Sequence, residues 1–254
     1  VREPNFRNIV INGDMAVAQR ATSATSITAS GYHAIDRYSN DISSAGTWTI
    51  SQDTDVPTGQ GFANSLKMDC TTADSSLGAA DYLTLNQKFE GQNLQYLKKG
   101  TSSAQSLTLS FWVKSVLTGT YCVNLIDQDN SREIDKSYTI SSASTWEKKT
   151  ITFAGDTTGT LDDDNAKSLE VLWWLGAGSN YTSGSLQTSW GSTVTANRAV
   201  GQVNLANSTS NNFWITGIQL EAGSVATDFE VVPYDQNLQR CYRYYEMMAD
   251  GRQD

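Results

Sequence analysis

The sequence predicts an all-β protein, a sandwich or barrel, with a short internal helix and a C-terminal helix. Short apolar runs recur along the 254 residues, polar turn residues separate them, and only three prolines occur. Within several runs apolar and polar residues alternate, as they do in strands with one buried face. No repeat of fixed period is present, which argues against a propeller or a β-helix.

The strands are predicted from three alternating runs and three apolar runs. The alternating runs span residues 107–114, 121–126 and 149–153, and the apolar runs span residues 169–175, 201–205 and 213–220. The last run is apolar on both faces, so we expect an interior strand. A turn at residues 221–224 follows it, in which Gly223 is free to adopt a positive φ.

Two segments have helical character. Residues 91–99 are predicted to form a short helix that ends at Gly100, with lysines suited to its C-terminal end. A second helix is expected after Pro233, with Asp235 as its N-cap. One face of this helix carries an apolar stripe at helical spacing, formed by Leu238, Cys241, Tyr242, Tyr245 and Met248.

The apolar stripe must pack on something. Its partner is the sandwich itself, another copy of the same helix, or a domain outside this chain. No linker divides residues 1–232, and we expect them to form one domain. Residues 233–254 then form a C-terminal helix and tail that serves oligomerisation or connects to a further domain. The predicted oligomerisation residues are Leu238, Tyr242 and Tyr245.

Charge and composition exclude several classes of partner. The formal net charge is −9 at pH 7, so nucleic-acid phosphates are repelled and no nucleic-acid partner is expected. No apolar run approaches the roughly 20 residues of a membrane span, so no membrane insertion is expected. Cys70, Cys122 and Cys241 match neither a disulfide framework nor a zinc pattern, and we expect them to be small buried side chains.

Several long segments resemble a jelly-roll domain family of tailed-bacteriophage tail fibres and other virion proteins. Near the N-terminus they are RNIVINGDMAVAQRAT (7–22) and YHAIDRYS (32–39), with the Asn-Gly-Asp, Gln-Arg and Asp-Arg-aromatic elements of that family. Later segments are SLTLSFWVKS (106–115), TWEKKTITFAGDTTGT (145–160), GQVNLANSTSNNFWITGIQLEAGSVATDFE (201–230) and LQRCYRYYE (238–246). The layout is also similar to carbohydrate-binding-module β-sandwiches, in which an N-terminal Asn-Gly strand pairs with a late strand.

The resemblance implies that residues 1–232 fold as a jelly-roll β-sandwich of two antiparallel sheets. It implies a non-enzymatic structural protein of a phage virion, either in a tail fibre or as a capsid-surface decoration, that acts in assembly and host attachment. It implies a position on the virion exterior after synthesis in the bacterial host cytoplasm. The expected partners are other copies of the chain, as a homotrimer, other virion proteins, and host surface polysaccharide. The alternative is a carbohydrate-binding module that recognises host surface glycans, and a glycan-degrading enzyme is less favoured.

The sequence contains no evident catalytic set. His33 is the only histidine and lies three residues from Asp36, and no Gly-x-Ser-x-Gly segment joins a strand to a helix. Carboxylates are plentiful, but most lie in polar turns, and glycoside hydrolysis needs two of them roughly 5–10 Å apart. We therefore assign no catalytic residue and no enzymatic activity.

A structural calcium ion is the one cofactor that the resemblance raises. Related sugar-binding jelly rolls often carry such an ion near the first and last strands. The matching segments here offer Asp14 and Glu221, but Gly217 stands where an acidic residue is often found. We assign no metal ligand and no cofactor.

Aromatic side chains are the expected glycan contacts, because exposed rings provide large apolar surfaces. Trp112 and Trp214 alternate within apolar strands and are expected in the core. Trp173 and Trp174 are adjacent, so in a strand they face opposite sides, and we expect one in the core and the other on an outer or partner-facing surface.

The remaining candidates lie in the polar segment 176–193. Tyr181 and Trp190 have less reason to be buried there, although this segment could equally pack against a neighbouring subunit. The candidate glycan-binding residues are therefore Tyr181, Trp190 and one of Trp173 and Trp174.

Overall fold

The structure, a computed structural model, describes residues 6–247. They form twelve strands, β1 (Ser23–Ile27), β2 (Ser39–Ser43), β3 (Thr47–Asp53), β4 (Ser65–Thr72), β5 (Tyr82–Glu90), β6 (Leu107–Ser115), β7 (Gly119–Asp127), β8 (Arg132–Ile140), β9 (Glu147–Phe153), β10 (Lys167–Ala177), β11 (Gly191–Ser192) and β12 (Asn212–Ala222). Sheet A has the order β1-β3-β4-β12-β6-β9, and sheet B has the order β11-β8-β7-β10-β5-β2. All neighbours are antiparallel, which confirms the predicted two-sheet jelly-roll sandwich.

Five of the six predicted strands correspond to β6, β7, β9, β10 and β12. The prediction for residues 201–205 is wrong, because this run leads into a 3-10 turn at Leu205–Asn207 instead of joining a sheet. The Asn204 side chain accepts a hydrogen bond from the amide of Ala206 at 2.9 Å. This hydrogen bond gives a backbone N–H at the start of the turn a local partner, so that group does not need an acceptor from a neighbouring strand.

Aromatic rings join the two sheets in the core. Phe111 of β6 makes edge-on contacts with Trp173 of β10 at 5.8 Å and with Tyr138 of β8 at 5.2 Å between ring centroids. Tyr121 of β7 meets Phe213 of β12 at 6.0 Å. Edge-on and offset contacts of this kind are the favourable geometry for aromatic pairs, so this layer helps to fix how the sheets face each other.

Strand β12 lies between β4 and β6, which confirms the predicted interior strand. Its register shifts between Thr216 and Gln219, where Gly217 has φ +60°. A Cβ at Gly217 would lie 2.6 Å from the ring of Phe62, so a glycine is required for both conformation and space. Gly223, just after the strand, has φ +115° as expected for the predicted turn.

The predicted internal helix is replaced by two 3-10 turns, Gly91–Asn93 and Gln95–Leu97. Leu94 and Leu97 are both buried, and their spacing of three residues suits a turn of three residues better than an α-helix. The segment ends at Lys98, which has φ +52°. The nine predicted residues are also too few to hold an α-helix without tertiary support.

The C-terminal helix α2 spans Tyr234–Tyr242. Pro233 occupies the N-cap position that the sequence assigned to Asp235, and Asp235 lies in the first turn. Cys241 is buried with Ile11 and Val17 of the N-terminal segment. All three cysteines are buried and unbonded, which confirms their expected role.

Three members of the apolar stripe, Leu238, Cys241 and Tyr245, therefore pack on the chain's own N-terminal segment. Leu238 packs against the Cys241 cluster, and the ring of Tyr245 lies 3.6 Å from the guanidinium of Arg20. Met248 lies outside the described residues. The homotrimer and a role of Leu238, Tyr242 and Tyr245 in oligomerisation stay predictions. Within residues 6–247, no helix has the length and hydropathy to span a membrane.

Candidate functional site

The N-terminal segment is joined to β12 by side-chain and backbone hydrogen bonds. Asn8 Nδ2 donates to the carbonyl oxygen of Ile218 at 3.0 Å, and Asn8 Oδ1 accepts from the backbone N–H of Leu220 at 3.0 Å. The Gly13 carbonyl accepts from the amide of Ile218 at 2.9 Å. The expected pairing of an N-terminal Asn-Gly segment with a late strand is thus present, although residues 8–13 are not a regular strand.

The Asn12 side chain is the centre of a buried polar junction. It accepts from the amide of Val17 at 2.9 Å and donates to the carbonyl oxygens of Val17 and Asp36 at 2.9 and 3.0 Å. The Asn12 amide donates to Asn237 Oδ1 of α2 at 3.2 Å. Asp36 in turn accepts from both the backbone and the side chain of Gln19. Asn12, Gln19 and Asp36 of the Asn-Gly-Asp, Gln-Arg and Asp-Arg motifs therefore serve the fold, because their polar groups are bonded within this junction.

The two acids considered for calcium are engaged separately. Asp14 accepts from Asn237 Nδ2 at 3.3 Å, and burial raises its pKa. Glu221 accepts from Gln219 Nε2 at 2.9 Å and from both the amide and the hydroxyl of Thr227. Within the part of the chain that the structure describes, no three His, Cys, Asp or Glu side chains are grouped as a metal site requires.

Trp173 and Trp174 face opposite sides of β10 as predicted, but neither indole is accessible. Trp173 is 0% exposed in the core between the sheets, and Trp174 is 1% exposed on the outer face of sheet B. Residues 178–199, which include helix α1 (Ser179–Thr182), cover that outer face. The ring of Tyr181 lies 5.2 Å from that of Trp174. The expectation of an accessible outer indole is therefore corrected, since this covering segment buries it.

Trp190 is partly exposed at the other end of the covering segment. Its Nε1 donates to the carbonyl oxygen of Ala154 at 2.7 Å, and the Lys99 ammonium lies 5.0 Å from its ring. These contacts hold the indole against the sandwich. The structure brings Tyr181 to Trp174 but does not group Trp190 with them, and glycan contact at Tyr181 or Trp190 stays a prediction.

Two buried carboxylates lie under the covering segment. Arg198 Nε donates to Glu133 at 3.0 Å, and Asn124 Nδ2 donates to Asp135. Among the described residues, one oxygen of each carboxylate, Glu133 Oε1 and Asp135 Oδ2, has no hydrogen-bond partner. Burial, reinforced by the Glu133 carboxylate, raises the pKa of Asp135 to about 8.

We expect the stability of the protein to fall as pH rises from about 5 to about 8, and to fall less in the Asp135→Asn variant. The folded protein retains the Asp135 proton up to a pKa of about 8, whereas an unfolded chain loses it near pH 4. The stabilisation that the protonated Asp135 side chain provides is therefore complete below about pH 4, and it is lost as pH rises through the pKa of Asp135 in the folded protein. The loss is on the order of a few kcal/mol. Denaturant unfolding across this range measures it, and equal slopes in both proteins would contradict the assignment.

The outer face of sheet A carries three tryptophans outside the core, which we name the tryptophan platform: Trp112 on β6, Trp214 on β12 and Trp146 just before β9. Trp112 and Trp214 each lie between two core residues along their strands, so their side chains point to the opposite face. Trp214 is 9% exposed, and Trp112 and Trp146 are partly exposed. The expectation that Trp112 belongs to the core is wrong, whereas Trp214 is buried as expected but lies outside the cluster between the sheets.

Cations and carboxylates surround the platform. The ammonium groups of Lys114 and Lys67 lie 4.2 and 5.3 Å from the Trp214 ring, and Lys114 is also 5.4 Å from the Trp146 ring. Asp55 forms an ion pair with Lys114 and accepts from Trp146 Nε1 at 2.9 Å. Burial raises the pKa of Asp55, but these hydrogen bonds outweigh it and hold the pKa below its ordinary value.

The sequence does contain a signal for this platform. The strand period places Trp112 on the same face as Ser110 and Lys114, and it places Trp214 on the same face as Asn212 and Thr216. Both tryptophans thus alternate with the apolar residues next to them. They share their face with polar residues, which is the pattern of an outward-facing side chain.

The described residues define an antiparallel two-sheet sandwich of the jelly-roll class with an aromatic surface on one outer face. No protein-family model and no curated protein matches the sequence. Among solved structures, the chain is similar to the enzymatically active domain of tailspike protein 4 of bacteriophage CBA120, with a TM-score of 0.44 and 12% identity over 86% of this chain and 22% of that one. The chain thus spans about a fifth of the length of the tailspike structure.

Two carbohydrate-binding modules show comparable likeness. A CBM4 structure has a TM-score of 0.40 and 12% identity, over 83% of this chain and 97% of that one. TmCBM61, in complex with β-1,4-galactotriose, has a TM-score of 0.41 and 9% identity, over 85% of this chain and 99% of that one. These likenesses are to sandwiches of the CBM type and to a phage tailspike domain, and they carry no conclusion about what this chain binds.

Proposed function

We propose that the protein binds carbohydrate at the tryptophan platform. The observation that carries this proposal is the group of three indoles on the outer face of sheet A, outside the core and beside paired charges. The apolar C–H face of a sugar ring packs on an indole, and its hydroxyl groups bond to carboxylate and ammonium groups. Trp112 and Trp146 supply exposed ring surface, while Asp55 and Lys67 supply polar groups at its edge.

The geometry suits a site of low intrinsic affinity whose overall avidity rises with the number of linked copies of the protein. The platform is an open sheet face, so it desolvates a sugar less completely than a closed pocket does. Linking several weak sites raises overall avidity by factors of about 10²–10⁴ without new contacts. A self-associated form of the chain would supply such multivalency.

We expect Trp146→Ala to weaken glycan binding by about tenfold, because aromatic anchors dominate binding at such surfaces. The probe is the strongest ligand of the wild-type protein on an array of bacterial surface glycans, titrated by calorimetry. The Trp146 indole lies outside the three apolar clusters, so the variant is expected to fold.

Trp190→Ala is the matched control, since Trp190 is also a partly exposed tryptophan but lies away from the platform. Loss of binding in Trp190→Ala with normal binding in Trp146→Ala would move the site to the covering segment. A wild-type protein that binds no glycan on the array would contradict carbohydrate recognition altogether.

We further propose that this recognition serves host attachment on the exterior of a tailed-phage virion. Support for this role comes from the sequence segments that resemble virion and tail-fibre domains over nearly the whole chain. Gold-labelled antibody on intact particles tests it: label on a fibre or on the capsid surface is expected, and unlabelled particles would contradict it.

We propose binding without catalysis. Support comes from the surroundings of the groups that hydrolysis would need. His33 is half-buried with its Nε2 against the carbonyl oxygen of Ala29 at 3.2 Å, and Asp36 is engaged by Gln19 and Arg20. Glu133 and Asp135 lie beneath the covering segment. Release of reducing ends from a bound glycan would contradict this proposal.

A further inference from the structure

A groove separate from the tryptophan platform lies where the N-terminal segment, the two 3-10 turns and α2 meet. We name it the arginine groove, and its volume is about 660 Å³. Aromatic rings of Phe6, Tyr96 and Tyr244 line it together with three guanidinium groups, those of Arg37, Arg240 and Arg243. This volume falls within the range of roughly 300–1,000 Å³ that is typical of small-ligand sites.

Arg37 is a buried cation that no anionic group of the described residues pairs with. Its side chain is 6% exposed, its Nη2 donates to the carbonyl oxygen of Lys88, and its guanidinium lies 3.3 Å from the Tyr244 ring. Within residues 6–247 its Nε has no hydrogen-bond partner and no carboxylate lies within 4.0 Å of the guanidinium. A buried charge is costly unless it is paired and hydrogen-bonded, so Arg37 is poised to accept an anion.

Arg240 is half-buried rather than fully buried, and it also lacks a carboxylate partner among the described residues. Its guanidinium lies 4.8 Å from the Phe6 ring and its Nη2 donates to the carbonyl oxygen of Asn8 at 3.4 Å, and no carboxylate of the described residues pairs with it. Burial lowers the pKa of Arg240, an effect that the Glu230 carboxylate partly offsets. Both guanidiniums thus carry a desolvation cost that a bound anion would relieve.

Arg243, unlike Arg37 and Arg240, is paired with a carboxylate in the same groove. Its guanidinium pairs with Glu90 at 2.9 Å. Glu90 is the single carboxylate of the lining, so the groove retains two positive charges in excess. The chain as a whole carries a net charge of −9, so this local excess runs against the general charge of the protein.

We propose that the arginine groove binds the carboxylate of an acidic saccharide. A guanidinium presents N–H groups that match a carboxylate in paired geometry. The aromatic walls offer surface to a sugar ring, and the side-chain amides of Asn93 and Gln239 at the rim suit hydroxyl groups. A bare inorganic anion would use the charge but leave the aromatic walls unoccupied. This site is additional to the platform and does not depend on it.

Calorimetric titration with trigalacturonic acid tests the proposal. We expect wild-type protein to bind this probe and Arg240→Gln to weaken it about tenfold or more, since hydrogen bonds between charged groups are among the strongest. Tyr96→Ala removes an exposed ring from the groove wall without a change of charge, and it is expected to weaken the binding of trigalacturonic acid severalfold. Lys98→Gln, which removes a nearby charge outside the lining, is expected to have less than a twofold effect.

Several outcomes would overturn the proposal. Absence of millimolar binding by the wild-type protein would do so, as would equal loss in Arg240→Gln and Lys98→Gln. Inorganic phosphate that competes as strongly as trigalacturonate would make the groove a simple anion site. Loss of uronate binding in Trp146→Ala would place the ligand on the platform. Binding seen only after Asp250 and Asp254 are changed to asparagine would assign the groove to carboxylates of the chain itself.

Discussion

Replacing Trp173 with alanine is expected to lower the free energy of unfolding by about 3–5 kcal/mol, the range for large aromatic side chains removed from a core. Trp173 is fully buried, and its ring meets Phe111 across the two sheets. Its Nε1 has no hydrogen-bond partner among the described residues. Removing this unpaired N–H offsets about 1 kcal/mol or more of the destabilisation. The decrease in the free energy of unfolding is therefore expected near the lower end of the range. Equilibrium unfolding in urea measures it.

Trp112→Ala is the matched control for this prediction. Trp112 lies on a central strand of sheet A but points away from the core. Its replacement is expected to cost about 1 kcal/mol or less, the span of strand propensities. Similar losses in the two variants would contradict the assignment of one tryptophan to the core and the other to the outer face.

Replacing Gly13 with alanine is expected to lower the free energy of unfolding by about 3 kcal/mol or more, at or above the upper end for overpacking. A Cβ at this position would lie 2.1 Å from the carbonyl oxygen of Ile218, a contact that real structures do not tolerate. The clash separates the N-terminal segment from β12 and breaks the hydrogen bond from Ile218 to Gly13. It also disturbs the bond that Asn8 donates to the same carbonyl. Thermal and urea unfolding provide the measurement.

Gly61→Ala separates this steric effect from backbone strain. Gly61 has φ +81°, and a Cβ there would meet nothing within 4 Å. The cost is then only that of a left-handed conformation, roughly 1–2 kcal/mol. If Gly13→Ala destabilised the protein no more than Gly61→Ala, the close approach of the N-terminal segment to β12 would not hold.

The Gly13 prediction gives the Asn-Gly-Asp segment a physical meaning. Asn8 and Gly13 join the N-terminal segment to β12, and Asn12 joins it to Val17, Asp36 and α2. The Asn-Gly-Asp pattern is thus explained by the demands of the fold. The tryptophan platform lies elsewhere on the surface, whereas Asn8 also lines the arginine groove.

The apolar stripe of the C-terminal helix has a partner within the same chain. Its side chains cover the N-terminal segment, and Arg240 and Arg243 at its end line the arginine groove. The sequence shows that the stripe needs a partner but does not say which one. The partner is another part of the same chain, more than 200 residues away.

The sequence by itself determined the fold class, the strands β6, β7, β9, β10 and β12, and the buried cysteines. Local patterns carry this information, because alternation fixes which residues share a face of a strand and polar turns mark where strands end. The same patterns also separated Trp173 from Trp174 correctly onto opposite faces of β10.

Tertiary structure alone decided which outer surfaces are accessible. The outer face of β10 holds Trp174, and the covering segment 178–199 buries it, whereas the Trp112 and Trp146 rings of sheet A remain partly exposed. Alternation cannot reveal this difference, because the burial of an outer face depends on which distant segment lies over it. The arginine groove has the same origin: Phe6, Arg37, Tyr96 and Arg240 meet only once the ends of the chain pack beside β5.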